Sequence, residues 1–509
     1  VSAPTRPDAT GTTPGTIPGP STGGPGAAAA APGKLARQDR RIIATLLVAT
    51  VVVILNETIM GVALPRLMTD LRIQASTGQW LSTAFMLTMA VVIPTTGFLL
   101  QRLSTKTVFT LAMSLFCAGT LLAAVSPGFW LLLPARIIQA SGTAMMLPLL
   151  MTTILTLVPA EGRGAMMGNV SIAISVAPAL GPTISGIILH FLPWRFMFVL
   201  VFPIALVALL YGRRRITQVG DQGSQRLDVL SVVLSVPAFG GIVFGLSKFG
   251  ESGDGGIVLG VVAVVVGLVC LTLFVLRQRA LQTGAGPLLD LRTFGYVMFR
   301  RSLGLLCVAM LGLFGVVILL PIYLQNIRRL GALETGLLLL PGGLLMGLLG
   351  PVVGRIFDRH GPKALAVTGA TLLSATMFGL RTVGPTTSVW FLLGLHLVLS
   401  VGLACIFTPA FTTGLNPLPP HLYSHGSAIL STLQQVAGAA GTALLVTIMA
   451  GRMVTLENDG AAPLVAQNAG INTAFLVAGF VGLVAIVLAA LLADRKPVGA
   501  PGGPRPVAH

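Results

Sequence analysis

Two ionisable side chains interrupt long apolar runs in this 509-residue sequence. Glu57 lies within Leu55-Asn56-Glu57-Thr58-Ile59-Met60, and Arg136 within Leu133-Pro134-Ala135-Arg136-Ile137-Ile138-Gln139. A charge at the centre of a membrane-crossing helix costs about 2.5–3.5 kcal/mol on insertion scales, so such a residue is paired or functional. A carboxyl in dry surroundings keeps its proton, whereas one beside a guanidinium releases it. Passage between those settings would couple proton uptake to a change of shape. A static pair that only fixes helix packing is the competing account. Each residue stands eight positions from the outer end of its run (Pro65 and Gly128). At 1.5 Å per residue both then sit roughly 12 Å deep, so they can meet if their helices are neighbours.

Other polar residues extend this candidate site. Arg136, Gln139 and Thr143 recur at spacings of three and four, so they share one helix face. A polar stripe of that kind is expected to face a cavity rather than lipid. Asn56 adjoins Glu57, and Met60, Met86 and Met146 supply flexible, polarizable surface suited to varied apolar ligands. In the second half, Tyr323, Gln325, Gln434 and Gln435 are polar candidates. For each of these, ordinary packing or a structural hydrogen bond is the alternative. The fifth apolar run carries Pro178, Gly181-Pro182 and Gly186. Small residues permit close helix approach, and prolines bend a span. That pattern fits either tight packing or a hinge between moving parts.

The elements that must hold these residues follow from composition. Only 9% of the residues are charged and 54% are hydrophobic, against about 25% charged for an ordinary soluble domain. That excludes a water-soluble enzyme and leaves an integral membrane protein. Apolar runs near the ~20 residues needed to cross a bilayer fall at about 42–63, 79–100, 107–126, 129–156, 166–190, 195–212, 228–248, 256–276, 302–324, 335–357, 362–381, 386–412, 426–451 and 470–493. Fourteen spans place both termini on one side. With the termini inside, the inward segments hold more than twice as many Lys and Arg as the outward ones, as the positive-inside rule requires. The net charge of +17 is thus a topological collar and no sign of nucleic acid. Residues 1–40 and 494–509 read as Pro/Gly-rich disordered cytoplasmic tails.

Pro94-x-x-Gly97-x-x-x-Gln101-Arg102 recurs as Pro351-x-x-Gly354-x-x-x-Asp358-Arg359. Both copies end a span on the inner side, as two parallel six-helix repeats would place them. The expected organisation is a six-helix unit at 41–213, two inserted spans at 228–276 and a second six-helix unit at 300–493.

Several chemistries have no motif here. There is no phosphate-binding GxxxxGK[ST] loop, no GxSxG elbow outside the Pro/Gly-rich first 40 residues and no HExxH. The four cysteines sit singly in apolar runs and read as buried thiols. His421 and His425 follow Pro419-Pro420 and read as a loop entering a helix, not a metal site.

The fourteen-span layout, the repeated Gly-…-Asp/Gln-Arg motif, Arg136-x-x-Gln139-x-x-Gly142 and Gly181-Pro182-x-x-x-Gly186 together resemble the fourteen-helix multidrug:proton antiporters of the major facilitator superfamily. Leu55-Asn56-Glu57-Thr58-Ile59 with Val62-Ala63-Leu64-Pro65 is similar to that family's first-helix motif, and Phe98-Leu99-Leu100-Gln101-Arg102 looks like its lincomycin-resistance-type branch. The resemblance covers about residues 40–495. It implies an all-α membrane protein of two six-helix bundles plus two extra helices, exporting hydrophobic or cationic compounds from the plasma membrane. It implies the proton gradient as energy source, no cofactor, lipid surroundings and function as a single chain. Under it, Glu57 and Arg136 couple protons, and Pro178, Gly181, Pro182 and Gly186 form the antiporter motif. Gly97, Gln101, Arg102, Gly354, Asp358 and Arg359 form inner gating loops. Two departures matter. Many members carry the acid at the position of Asn56, and a one-residue step turns a side chain by about 100°. Gln101 stands where the first gating loop usually has Asp, so its network is expected to be weaker or carried by Asp358. A dedicated exporter of a lipid or secondary metabolite, or a non-transporting membrane sensor, are the other readings.

Overall fold

The computed structural model describes residues 36–73, 75–219, 228–248, 254–282 and 286–493. The expected tail residues 1–35 and 494–509 lie outside them. Every long element is a helix, as a bilayer demands when each backbone N–H and C=O must be satisfied within its own segment. In chain order these are α1 (Arg37–Leu71), α2 (Ala75–Arg102), α3 (Thr105–Ala124), α4 (Phe129–Leu157), α5 (Arg163–Phe191) and α6 (Phe196–Arg215). Then come α7 (Val229–Lys248) and α8 (Asp254–Leu281), followed by α9 (Val297–Ile327) and α10 (Ala332–His360). The chain ends with α11 (Lys363–Leu380), α12 (Val389–Leu415), α13 (Tyr423–Asn458) and α14 (Pro463–Ala490). Among the described residues, thirteen of these are long and apolar enough to cross a membrane. The fourteenth, α5, is a 29-residue helix packed between α1 and α10.

Boundaries depart from the hydropathy pattern where helices outrun the apolar core. The expected 42–63 span becomes 35 residues, Arg37–Leu71, and 426–451 becomes 36, Tyr423–Asn458. Their extra turns add polar residues, among them Arg66 and Asp70, which pair at 3.4 Å on successive turns of α1. Two helices contain a widened turn, at Val236–Gly240 in α7 and Tyr323–Ile327 in α9. Each adjoins a proline, Pro237 or Pro321, whose missing N–H breaks the regular ladder.

The repeat is visible in the backbone. Pro94 and Pro351 are 257 positions apart, and the same step separates the starts of α2 and α10, Ala75 and Ala332. α5 and α13 are each preceded by a short 3-10 turn, Ala160–Gly162 and Pro420–Leu422. The halves meet along two seams, α5 against α10 and α2 against α13. The inserted α7 lies against both α2 and α13, while α8 packs chiefly on α7 and leaves most of its valines facing outward.

Glycines set the closest crossings. A Cβ at Gly142 would stand 2.3 Å from the Ala112 carbonyl oxygen, fixing α4 hard against α3. At the α5–α10 seam a Cβ on Gly354 would stand 2.2 Å from the Gly164 carbonyl oxygen, and one on Gly168 the same distance from that of Gly350. Small residues let two backbones touch where lipid offers no hydrophobic drive.

Candidate functional site

The site begins where α4 crosses α1 and α2. Arg136 is 1% exposed, although it carries a full charge. Its Nη1 donates to the Asn56 side-chain oxygen at 3.4 Å and to that of Gln139. The Phe85 ring lies beneath the guanidinium, its centroid 4.1 Å from Cζ. Such a face attracts a desolvated cation by about 0.5–2 kcal/mol. Gln139 is held in turn, donating from Nε2 to Thr120 Oγ1 at 2.7 Å, and Thr143 donates to the Gln139 carbonyl at 3.1 Å. The charge is therefore spread over neutral acceptors and an aromatic ring.

Glu57 is half-buried and lies within electrostatic reach of Arg136. Among the described residues it makes no hydrogen bond or ion pair. Arg136 bonds to Asn56 rather than to Glu57, because the one-residue step turns Asn56 toward α4 and Glu57 away. Arg136 Nε and Asn56 Nδ2 are buried without partners. The pair read from sequence is thus an arginine bonded to neutral groups beside a carboxyl that has no hydrogen-bond partner among the described residues.

The fifth-helix motif supports this acid. A Cβ on Gly181 would stand 2.2 Å from Thr58 Oγ1, which donates to the Leu55 carbonyl at 3.0 Å and lies 3.5 Å from the Ala177 carbonyl. Gly181 therefore packs within its own half, against the residue after Glu57. The inter-half seam uses other α5 residues, Gly164, Gly168 and Thr183. Among the described residues, an added Cβ on Gly186 would meet Leu333 alone, at 4.0 Å. The side chains of Pro178 and Pro182 lie outside the described residues.

The remaining cavity candidates divide. Met60, Met146 and Tyr323 are packed in the core, and the Tyr323 hydroxyl donates to the Gly384 carbonyl at 2.7 Å. Their size and apolarity won them core places. Met86 is exposed, as is Gln325 in the widened last turn of α9. Gln434 is buried with Nε2 unpartnered, and Gln435 reaches across the α2–α13 seam to the Met89 sulfur at 3.7 Å.

At the face bearing the turns after α2 and α10, here the basic face, the halves are latched. The Asp358 carboxylate accepts the backbone N–H of Gly164 at 3.0 Å and of Ala165 at 2.9 Å, where α5 begins. A carboxylate is well placed there because free N–H groups and the helix dipole favour an anion. Gln101 makes the pseudo-equivalent contact as a donor, giving its Nε2 hydrogen to the His421 carbonyl at 2.8 Å. Gly97 lies under Ala428 and Ser424 of α13. Arg102 and Arg359 are exposed outside these crossings.

Three participants were not singled out in the sequence. Phe85 has no polar atom to mark it. Thr152 bonds Ser427 across the halves at 2.8 Å. Arg163 counted only as one inward cation, yet it is buried. It donates to the Val158 and Leu155 carbonyls, to Asn416 at 3.0 Å and to the Tyr423 hydroxyl at 3.1 Å. Its position one residue after a 3-10 turn, opening α5, was the available signal.

These contacts make the latch testable. Gly354→Val must force the α5 and α10 backbones apart, at about 1–3 kcal/mol for overpacking. A cysteine placed at the fully buried Met167 is expected to react with a maleimide several-fold faster in that background. An unchanged labelling rate would mean the crossing does not hold the basic face shut.

Comparison with known proteins agrees with this architecture. The family model described as Major Facilitator Superfamily matches residues 46–442. A lincomycin resistance protein of Listeria monocytogenes is 42% identical over 440 residues, covering 86% of this chain and 93% of its own. One from Bacillus subtilis is 39% identical over 453 residues, covering 88% and 94%. A multidrug resistance protein B homolog of Mycobacterium tuberculosis is 28% identical over 413 residues, covering 80% and 76%. Among solved structures, the human organic anion transporter MFSD10 aligns with TM-score 0.62 at 16% identity, over 89% of this chain and 99% of that one. The proton:xylose symporter XylE aligns with TM-score 0.61 at 15% identity, over 88% and 94%. The last two likenesses concern the fold alone. With fourteen long helices among the described residues, paired seams and these relatives, the chain is a multi-pass membrane protein that belongs to the major facilitator superfamily of transporters.

Proposed function

We propose that this transporter is a proton-coupled exporter of hydrophobic or cationic antibiotics, working by alternating access with Glu57 as proton carrier. The observation that carries the reading is a half-buried Glu57, without a hydrogen-bond partner among the described residues, beside an arginine whose Nη1 bonds to neutral groups. Relatives named for lincomycin and multidrug resistance supply the substrate class. The basic face is the cytoplasmic one, because Lys and Arg collect in its turns. The membrane is accordingly the plasma membrane, with both termini inside. The proton gradient is the energy source, no cofactor takes part, and one chain suffices because both repeats are covalently joined.

The direct test is accumulation of radiolabelled lincomycin and of a lipophilic cationic dye in cells expressing the protein. Both are expected to fall several-fold below control cells and to recover when an ionophore collapses the proton gradient. Export that persists after collapse would leave no place for proton coupling.

A further inference from the structure

The two inserted helices are tied to the seam between the halves by a polar chain that is buried from Ser231 onward. It starts at α7, where Asp228 caps the helix and accepts from Ser231 Oγ at 2.5 Å and from Arg277 at 3.1 Å. Gln278, near the end of α8, is fully buried; it donates to Ser231 Oγ at 2.7 Å and accepts the Leu289 backbone N–H at 3.1 Å. The segment that follows α8 is thereby pinned. Its next residue, Asp290, is 2% exposed and takes Arg292 Nε at 2.9 Å. Burial opposes charge on Asp290, but the Arg292 hydrogen bonds outweigh it and hold the carboxyl below its ordinary range. The segment then meets α13: the His425 imidazole lies against the Leu288 carbonyl and in the field of Asp290. His425 Nδ1, without a hydrogen-bond partner, would be 3.5 Å from a Cβ on Gly97 of α2.

α7 reaches the same seam directly. A Cβ on Gly240 would touch Val91 and Leu87 of α2 at 3.7 and 3.9 Å, and Phe244 stacks on Trp80 at 5.8 Å. The α2–α13 seam is therefore backed by an additional pair of helices. The α5–α10 seam has no such backing among the described residues.

Resting on the transporter reading above, we infer that Gln278 is a positioning residue: by pinning the Leu288–Asp290 segment beneath His425, it holds α13 against Gly97 and biases the α2–α13 gate closed. The inserted pair is then a strap on one seam, which gives it a part in transport beyond filling lipid-facing space. Loss of the Gln278 bonds frees the segment and removes the backing from His425. The closed gate loses stability relative to the open one.

The test uses the full chain in lipid nanodiscs, with Cys117, Cys270, Cys307 and Cys405 replaced and spin labels at Lys106→Cys and His421→Cys. Dipolar spectroscopy reads the distance across the basic end of the seam. Gln278→Leu keeps the volume but neither bond, and is expected to raise the open-to-closed ratio about five- to tenfold. Gln278→Glu keeps an acceptor for Leu289 and is expected to stay within about twofold of the parent. Elution and melting profiles confirm that both variants fold. A parental distribution in Gln278→Leu, or an equal shift in Gln278→Glu, overturns the inference. Neither substrate nor proton gradient is present, so this outcome is separate from a failure of the drug-export reading.

Discussion

Glu57→Gln is expected to abolish proton-driven export while leaving downhill movement of substrate intact. Gln matches Glu in size and keeps hydrogen-bonding capacity, but it cannot release a proton. Among the described residues the wild-type carboxyl has no partner, so the exchange strands no neighbouring group and insertion is expected to be normal. In proteoliposomes with one pH unit across the membrane and one proton per neutral substrate, the driving force is about 1.36 kcal/mol, or at most a tenfold substrate ratio. The parent should approach that ratio. The variant should stop at a ratio of one whatever the gradient, because the pH difference no longer enters its cycle.

The sign of the pH response is informative. Raising the proton concentration on the side toward which substrate moves should speed export by the parent, since Glu57 must be reloaded there before it can return. The same change should leave Glu57→Gln untouched. A gradient-driven ratio above one in the purified variant would falsify the assignment of Glu57. The carrier would then have to be sought among polar groups such as the half-buried His396 or the buried His425.

How far the sequence reaches is clear from particular residues. The spans were legible because apolar length is a local property, and the repeat because Pro94-x-x-Gly97 and Pro351-x-x-Gly354 kept their spacing. Glu57 and Arg136 were legible because charge is scarce in such runs. Their relation was not. Which of Asn56 and Glu57 meets Arg136 depends on the rotation of α1, and hydropathy says nothing about rotation in a helix buried on several sides. Phe85 was invisible for a related reason: in a chain that is mostly apolar, an aromatic ring under a guanidinium looks like any other packed ring. Asp358 was read as part of an inner gating network, and the sequence did not show that its carboxylate caps the start of α5. That role depends on the α5–α10 crossing, a long-range contact set by Gly354 and Gly164.

Arg136 supports two accounts of the site that a pair of substitutions can separate. In one, its positive charge acts on Glu57 through space and sets when the proton leaves. In the other, the guanidinium is a clamp that holds α1 to α4 through Asn56 and Gln139. Arg136→Ala removes both and is expected to eliminate export. It also strands the Asn56 and Gln139 oxygens, each at about 1–3 kcal/mol for a buried unsatisfied group. The melting temperature in detergent should therefore fall by several degrees. Arg136→Lys keeps the charge but replaces the planar fork with a single ammonium, which cannot serve both acceptors in the same geometry. If the field on Glu57 dominates, Arg136→Lys retains a gradient-driven ratio near the parent's at reduced turnover. If the clamp dominates, Arg136→Lys melts early and moves no substrate. We expect the first result, because the ring of Phe85 and two neutral oxygens keep the cation uncommitted to any carboxylate. Its charge then remains available to the one acid within reach. A lysine variant as inactive as the alanine variant would overturn that expectation and make the arginine fork the essential feature.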